Sequence, residues 1–302
     1  MTFAVLFAAV SIAFPPEGVK LPYLERCYVM GAADAGESSL RVSGFQGFKV
    51  SEVHVSRSGA WATVVDVVPG TNVVEIGGAK RTFIVEASKP SELSKPSKPY
   101  SKLPYAADAA KPHPREKKPE EITVVLDAGH GGHDAGALSP HALPEKDANL
   151  RLAKQVRDEL MRRGYRVVMT REDDVFVELY DRPKVAHKAN ADLFVSIHHN
   201  APGYASDPFA IRSQSVYAWN PLGEKLAKAI NARMAAADPV LKNDGVLHAN
   251  FAVTRNPEIP SVLIEADYVT HPDGELAAWD ASRRPRIAAA IADGIADWVA
   301  GK

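Results

Sequence analysis

From residue 121 onward, short apolar runs alternate with longer stretches in which apolar side chains recur at helical spacing, and few folds accept that order. Residues 122–126 read as an apolar strand. Residues 146–163 read as a helix, with Ala148, Leu152, Val156 and Leu160 four apart on one face and Gly164 just past its end. Strands over 166–170, 193–197, 215–219 and 261–266 and helices over 179–189, 221–237 and 284–299 continue the pattern. This predicts an α/β domain over 121–302: a mostly parallel, twisted sheet with helices on both faces. Strands covered on both faces carry no polar side, which is why they are apolar throughout.

The residues before this domain are of a different kind. Residues 88–120 hold seven of the chain's 22 prolines and eight Lys/Arg against four acids, with few large apolar side chains. Such a stretch cannot bury enough surface to offset its chain entropy, and proline extends it, so a linker is expected. Over 14–87, strand-forming runs at 40–42, 49–55, 61–68, 72–76 and 82–85 are punctuated by Gly44, Gly59, Pro69-Gly70 and Gly77-Gly78. That predicts a small all-β, sandwich-like module with no catalytic constellation of its own. Its expected role is a contact to a surface or to an activator, leaving catalysis to the rear domain.

Residues 3–14 form the one long apolar run. It is too short to span a bilayer but matches the apolar region of a secretory leader. Ser11-Ile12-Ala13 places small residues where a signal peptidase looks, so residues 1–13 are expected to be a leader cut after Ala13, and the protein to be exported to a periplasm or cell wall. No Lys or Arg precedes the run, and Val5, Leu6, Val10 and Ile12 equally suit a buried first strand. A net charge of −1 gives no polycationic footprint, so no nucleic-acid partner is expected, and no transmembrane anchor is expected in the mature chain. Cys27, the single cysteine, excludes a disulfide framework and any zinc site of several cysteines.

In sheets of this kind, ligands gather beyond the carboxyl ends of the strands. There the first rear strand runs into Asp127-Ala128-Gly129-His130-Gly131-Gly132-His133-Asp134-Ala135-Gly136, the third into His198-His199-Asn200, and the late strand ends at Glu265. The glycine-rich turn is not a nucleotide loop. Asp134 stands where the dinucleotide pattern needs its third glycine, and no Gly-Lys-Ser/Thr follows. Gly-x-Ser-x-Gly and His-Glu-x-x-His are also absent. What remains is a dispersed zinc site, since catalytic zinc takes three His or carboxylate ligands and keeps a fourth position for water. His130, His198 and a glutamate would complete that set. Glu145 at a helix start is the best third ligand, although helix-start acids are common without any metal.

Residues 124–136, then Glu145-Lys146-Asp147-Ala148-Asn149-Leu150, then Thr170-Arg171 with Arg182, residues 191–201 and Val262-Leu263-Ile264-Glu265 resemble, in order, the motifs of the zinc-dependent N-acetylmuramoyl-L-alanine amidases. The resemblance implies a phosphorylase-like α/β fold and one Zn2+ held by His130, Glu145 and His198. It also implies Glu265 as the catalytic carboxylate and Asp127 and Asn200 orienting the ligands from behind. The implied partner is peptidoglycan, and the implied reaction is hydrolysis of the amide between N-acetylmuramic acid and L-alanine of the stem peptide. Departures from the motifs are His199, Ala266-Asp267-Tyr268 for the usual Thr-Gly-Phe, Asp244-Gly245 without an intervening arginine, and His187 and His271 where asparagine is common. The alternatives are a zinc peptidase cutting within the stem peptide and a wall-binding protein without catalysis.

Overall fold

The structure, a computed structural model, describes residues 10–34, 36–44, 51–87, 113–114, 117–256 and 258–302. Most of the expected linker and residues 1–9 of the expected leader lie outside these described residues.

Turn residues and alternating strands build the front module as two facing sheets. β1 (Ser11–Phe14), β3 (Arg26–Ala32) and β6 (Ala60–Asp66) form one antiparallel sheet in the order β1-β3-β6. β2 (Lys20–Leu21), β4 (Ser39–Gly44), β5 (Ser51–His54), β7 (Gly70–Ile76) and β8 (Ala79–Val85) form the other, in the order β2-β8-β7-β4-β5. Between them lies an apolar core with Ile12, Val29, Trp61, Ile76 and Phe83. Ser11–Ala13, expected in the leader, are thus part of the sheet: Ile12 is an apolar side chain that this core takes in, so a cut after Ala13 would run through β1.

The rear domain follows the alternation of its sequence. β9 (Thr123–Ala128), α1 (Glu145–Arg162), β10 (Arg166–Met169), α2 (Arg182–Lys188), β11 (Leu193–Asn200), β12 (Gln214–Ala218), α3 (Pro221–Ala237), β13 (Asn243–His248), β14 (Ser261–Tyr268), α4 (Pro272–Trp279) and α5 (Arg283–Val299) follow in turn. The six strands lie in the order β10-β9-β11-β14-β12-β13. All neighbours run parallel except β12 against β14. α1, α3 and α5 cover one face, where Leu152, Val156, Ile230, Ile291 and Ile295 meet Val124, Leu126 and Val195. The short α2 covers the other face, where Ala186 meets Val125, Phe194 and Leu263. Successive residues of β9 thus enter opposite cores. Because β9, β11 and β14 are parallel neighbours, their carboxyl ends meet at one rim.

Two elements of the rear domain were not expected from the sequence, as β2 and β3 were not in front. β13 is a half-exposed edge strand with a polar start, and α4 opens with Pro272 after its cap, His271, whose Nδ1 accepts from the Asp273 amide at 3.1 Å. The helix expected from residue 179 starts at Arg182, because Pro183 falls in its first turn and proline is tolerated there but not deeper.

Candidate active site

The turn after β9 carries His130 in the left-handed region, at φ 59°, between two glycines. Two guanidinium groups hold this turn from below. Arg171 donates to the carbonyls of Ala128 (2.9 Å) and Gly129 (2.8 Å), and Arg182 to those of Ala128 and His130 (both 2.9 Å). Arg182 also pairs at 2.9 Å with Asp127, which is fully buried and accepts from Thr170 Oγ1 (2.6 Å) and Ser196 Oγ (2.7 Å). A buried carboxylate survives where every oxygen is matched in this way. Asp127 therefore acts on the turn through Arg182, with no hydrogen bond of its own to His130, Glu145 or His198.

His130, Glu145 and His198 come together as the motifs imply, with one ligand atom of each within 4.8 Å of the others. Glu145 opens α1 and lies between the rings. Its Oε2 is 3.2 Å from His130 Nε2 and its Oε1 is 3.0 Å from His198 Nδ1. Three further donors fix its carboxylate: the amides of Ala137 (3.0 Å) and His199 (3.2 Å) and the Asn149 side chain (2.9 Å). Burial alone would raise the pKa of Glu145, but hydrogen bonds and charge from both imidazoles outweigh it and hold the group well below the usual carboxylate range. His130, whose burial acts downward, is pushed up to about 9 by Glu145 and Asp134. Asp134 accepts from His130 Nδ1 at 2.9 Å, which turns Nε2 toward Glu145.

Two glycines leave room for this cluster. A Cβ at Gly129 would lie 2.2 Å from the His198 ring, and one at Gly136 (φ +67°) would lie 2.6 Å from both Glu145 Oε2 and His130 Cδ2. Any side chain at either position would displace one of the clustered side chains, so the turn needs glycine there on steric grounds.

Glu265 is the register partner of His198 on the neighbouring strand and lines the same cleft, of about 470 Å³. Its Oε2 is buried with no hydrogen-bond partner among the described residues. Burial, and then the negative charge of Glu145, push its pKa well above the ordinary glutamate value. Phe176, Leu179, Phe251, Val253 and Leu263 give the cleft an apolar wall, beside the charged side chains of Asp127, Asp134, Glu178 and Arg182. Asn200 lies at the rim, but its Oδ1 accepts from the Ala201 amide at 2.8 Å and reaches none of the three clustered side chains.

Asp134 and Asn149 were not singled out by the sequence reading. Asn149 ties the cluster to His199, accepting at 2.8 Å from its Nδ1. Burial, its largest influence, lowers His199 to about 3 and keeps the ring neutral. A polar residue four positions after Glu145 on one helix face was the available signal for Asn149.

Comparison with known proteins agrees with this geometry. The family pattern described as N-acetylmuramoyl-L-alanine amidase matches residues 124–297, more than half the chain. The chain belongs to the N-acetylmuramoyl-L-alanine amidase family. Among curated members, the amidase AmiA of Escherichia coli is 34% identical over 218 residues, covering 57% of this chain and 74% of AmiA. The probable cell wall amidase LytH of Staphylococcus aureus is 30% identical over 248 residues, covering 81% of this chain and 80% of LytH. Of solved amidase structures, the catalytic domain of CwlV from Bacillus (Paenibacillus) polymyxa superposes with a TM-score of 0.56 at 36% identity. It covers 60% of this chain and 99% of that domain. All four clustered or cleft-lining residues of this family member, His130, Glu145, His198 and Glu265, fall inside the matched span.

Proposed function

We propose that the chain hydrolyses the amide between N-acetylmuramic acid and L-alanine in peptidoglycan, with one Zn2+ held by His130, Glu145 and His198 and with Glu265 moving the proton. The observation that carries this reading is the junction in one cleft of two imidazoles and a carboxylate within 4.8 Å of one another with an unpartnered, buried carboxyl. Two imidazole nitrogens and one carboxylate oxygen match the donor set of catalytic zinc, and the two glycines leave the space such a cluster needs. When bound, zinc supplies Lewis acidity, lowering the pKa of a coordinated water toward about 7 and polarising the carbonyl under attack.

The remaining work belongs to the chain. Asp134 fixes the His130 tautomer so that Nε2 is the ligating nitrogen, and Asn149 with two backbone amides orients Glu145. Glu265 accepts the proton of the attacking water at its free Oε2 and returns it to the departing L-alanine nitrogen. For that role it stays out of the metal's ligand set, since a fourth protein ligand would close the site. The apolar side chains Phe176, Leu179, Phe251, Val253 and Leu263 lower the local polarity beside the scissile amide and strengthen these electrostatic contacts.

A substrate in the wall places the enzyme outside the cytoplasm, with residues 1–9 as part of a leader. A cut that keeps the sandwich whole falls before Ser11 rather than after Ala13, because β1 starts at Ser11. No described helix is long and apolar enough to cross a membrane. The decisive experiment is mass spectrometry of digested peptidoglycan. Peptides with free N-terminal L-alanine and intact glycan strands are expected. A cut inside the stem peptide would instead make this a peptidase, and an untouched wall would make it a binding protein.

A further inference from the structure

β3 is buried on both faces, which a two-sheet module does not explain by itself. Cys27 and Val29 point into the sandwich core, while Tyr28 and Met30, on the opposite face, are 3 % and 0 % exposed. The rear domain covers that outer face. Phe14 stacks on Tyr28 with ring centroids 4.5 Å apart and on Tyr204 at 5.6 Å, the latter rings only 9° from coplanar. β1 stops pairing with β3 at Phe14↔Met30, so nothing from β1 meets the Tyr28 amide. The Tyr204 carbonyl takes that donor at 2.7 Å, replacing the missing strand partner. A second approach lies at Gly59, where an added Cβ would be 3.9 Å from His141 Nε2, and His141 is held by Glu275 at 2.7 Å.

Tyr204 belongs to the connection 201–213 between β11 and β12, which flank β14 on its two sides. Both ends of this connection are tied to the strand that carries Glu265. At its start the Asn200 carbonyl accepts from the Val269 amide at 3.1 Å, two residues past His198. At its end Arg212 grips Asp267 through two bonds of 3.0 Å, two residues past Glu265. Glu265 itself is in register with His198 on one side and Ser215 on the other. Whatever fixes the middle of the connection therefore acts on the spacing between a cluster histidine and the buried carboxyl.

We propose that Tyr204 is a positioning residue: through the Phe14–Tyr28–Tyr204 stack the front module docks on the connection 201–213 and sets His198 against Glu265. The front module is then a fixed wall of the catalytic unit rather than a separate targeting domain on a tether. The kinetic part of this role rests on the amidase reading.

The test uses the full-length, zinc-loaded chain and a soluble muropeptide. Tyr204→Ala and Phe14→Ala, one from each side of the contact, are expected to lower kcat about tenfold with KM and zinc content within about twofold of the unaltered protein. Tyr204→Phe keeps the ring and the backbone carbonyl and should restore kcat. In the unaltered protein, hydrogen exchange at the Tyr28 amide should be as slow as at Val29, and in both alanine variants faster. A Tyr28 amide that exchanges freely in the unaltered protein overturns the docking, even if an alanine variant fails to fold. Unchanged kcat in both alanine variants of an active enzyme overturns the positioning role alone. A kcat loss that only follows zinc loss makes Tyr204 structural and overturns it too. An unaltered chain that releases no L-alanyl peptide removes the amidase reading along with it.

Discussion

The front module and the rear domain bury different things. Within the front module the interior is apolar, and its one reactive atom, the Cys27 thiol, is pushed up to about 12 by burial. The rear domain buries Asp127, Glu145, Arg171, Arg182, Asp267 and Arg283, each tied to named partners. Removing charges from water is unfavourable unless geometry compensates for it. The rear domain does so repeatedly, whereas the front module buries no charged side chain among the described residues and a single amide, Asn72, bonded to its own turn. Matched buried charge is thus concentrated in the domain that carries His130, Glu145, His198 and Glu265.

The sharpest way to break that contrast is to remove a cluster ligand. His130→Ala or His198→Ala should reduce bound zinc and turnover to background while the front module keeps its melting transition; full zinc occupancy, read by metal analysis, would reject the ligand in question. Next in size, Glu265→Gln should retain zinc and lose activity by about 10²–10⁴-fold, as loss of a general acid–base group does. Loss of the metal instead would mean that Glu265 is a ligand. Asn149→Ala, which removes one of the donors to Glu145 Oε1, should weaken zinc affinity by about 10–100-fold in a competition titration with a chelator, with wild-type activity at saturating metal.

The smallest effect is expected in front. Cys27 should stay unmodified by a thiol reagent at pH 8 until the module is unfolded. Its folded pKa lies above the unfolded value of 9, so its contribution to stability is complete below pH 9 and declines as pH rises toward 12. Fast labelling at pH 8 would show that the module opens readily and would blur the contrast.

Much of this was legible in the chain. Periodicity located most of the rear elements, because a strand buried on both faces and a helix buried on one leave distinct patterns. The cluster was legible through its motifs: strand ends and a glycine-rich turn pointed to the rim, and the family resemblance chose Glu145. What escaped has physical reasons. β3 reads Arg-Cys-Tyr-Val-Met-Gly-Ala, without alternation, because the rear domain covers its second face, and no local pattern can announce a partner from residue 204. Asp134 acts inside its own turn on His130 four residues earlier, and Asn149 reaches Glu145 one helical turn back as well as His199 on a distant strand, roles that no periodic pattern marks. Asn200 sits in the right motif, yet its side chain closes a local turn.

The paired guanidinium groups under the turn have one more consequence. Because Arg171 and Arg182 occupy the carbonyls of Ala128, Gly129 and His130, the seat is shaped by the polypeptide before any ion arrives. Unlike a zinc finger, whose scaffold collapses without its metal, the rear domain is therefore expected to keep its melting transition in the presence of a chelator.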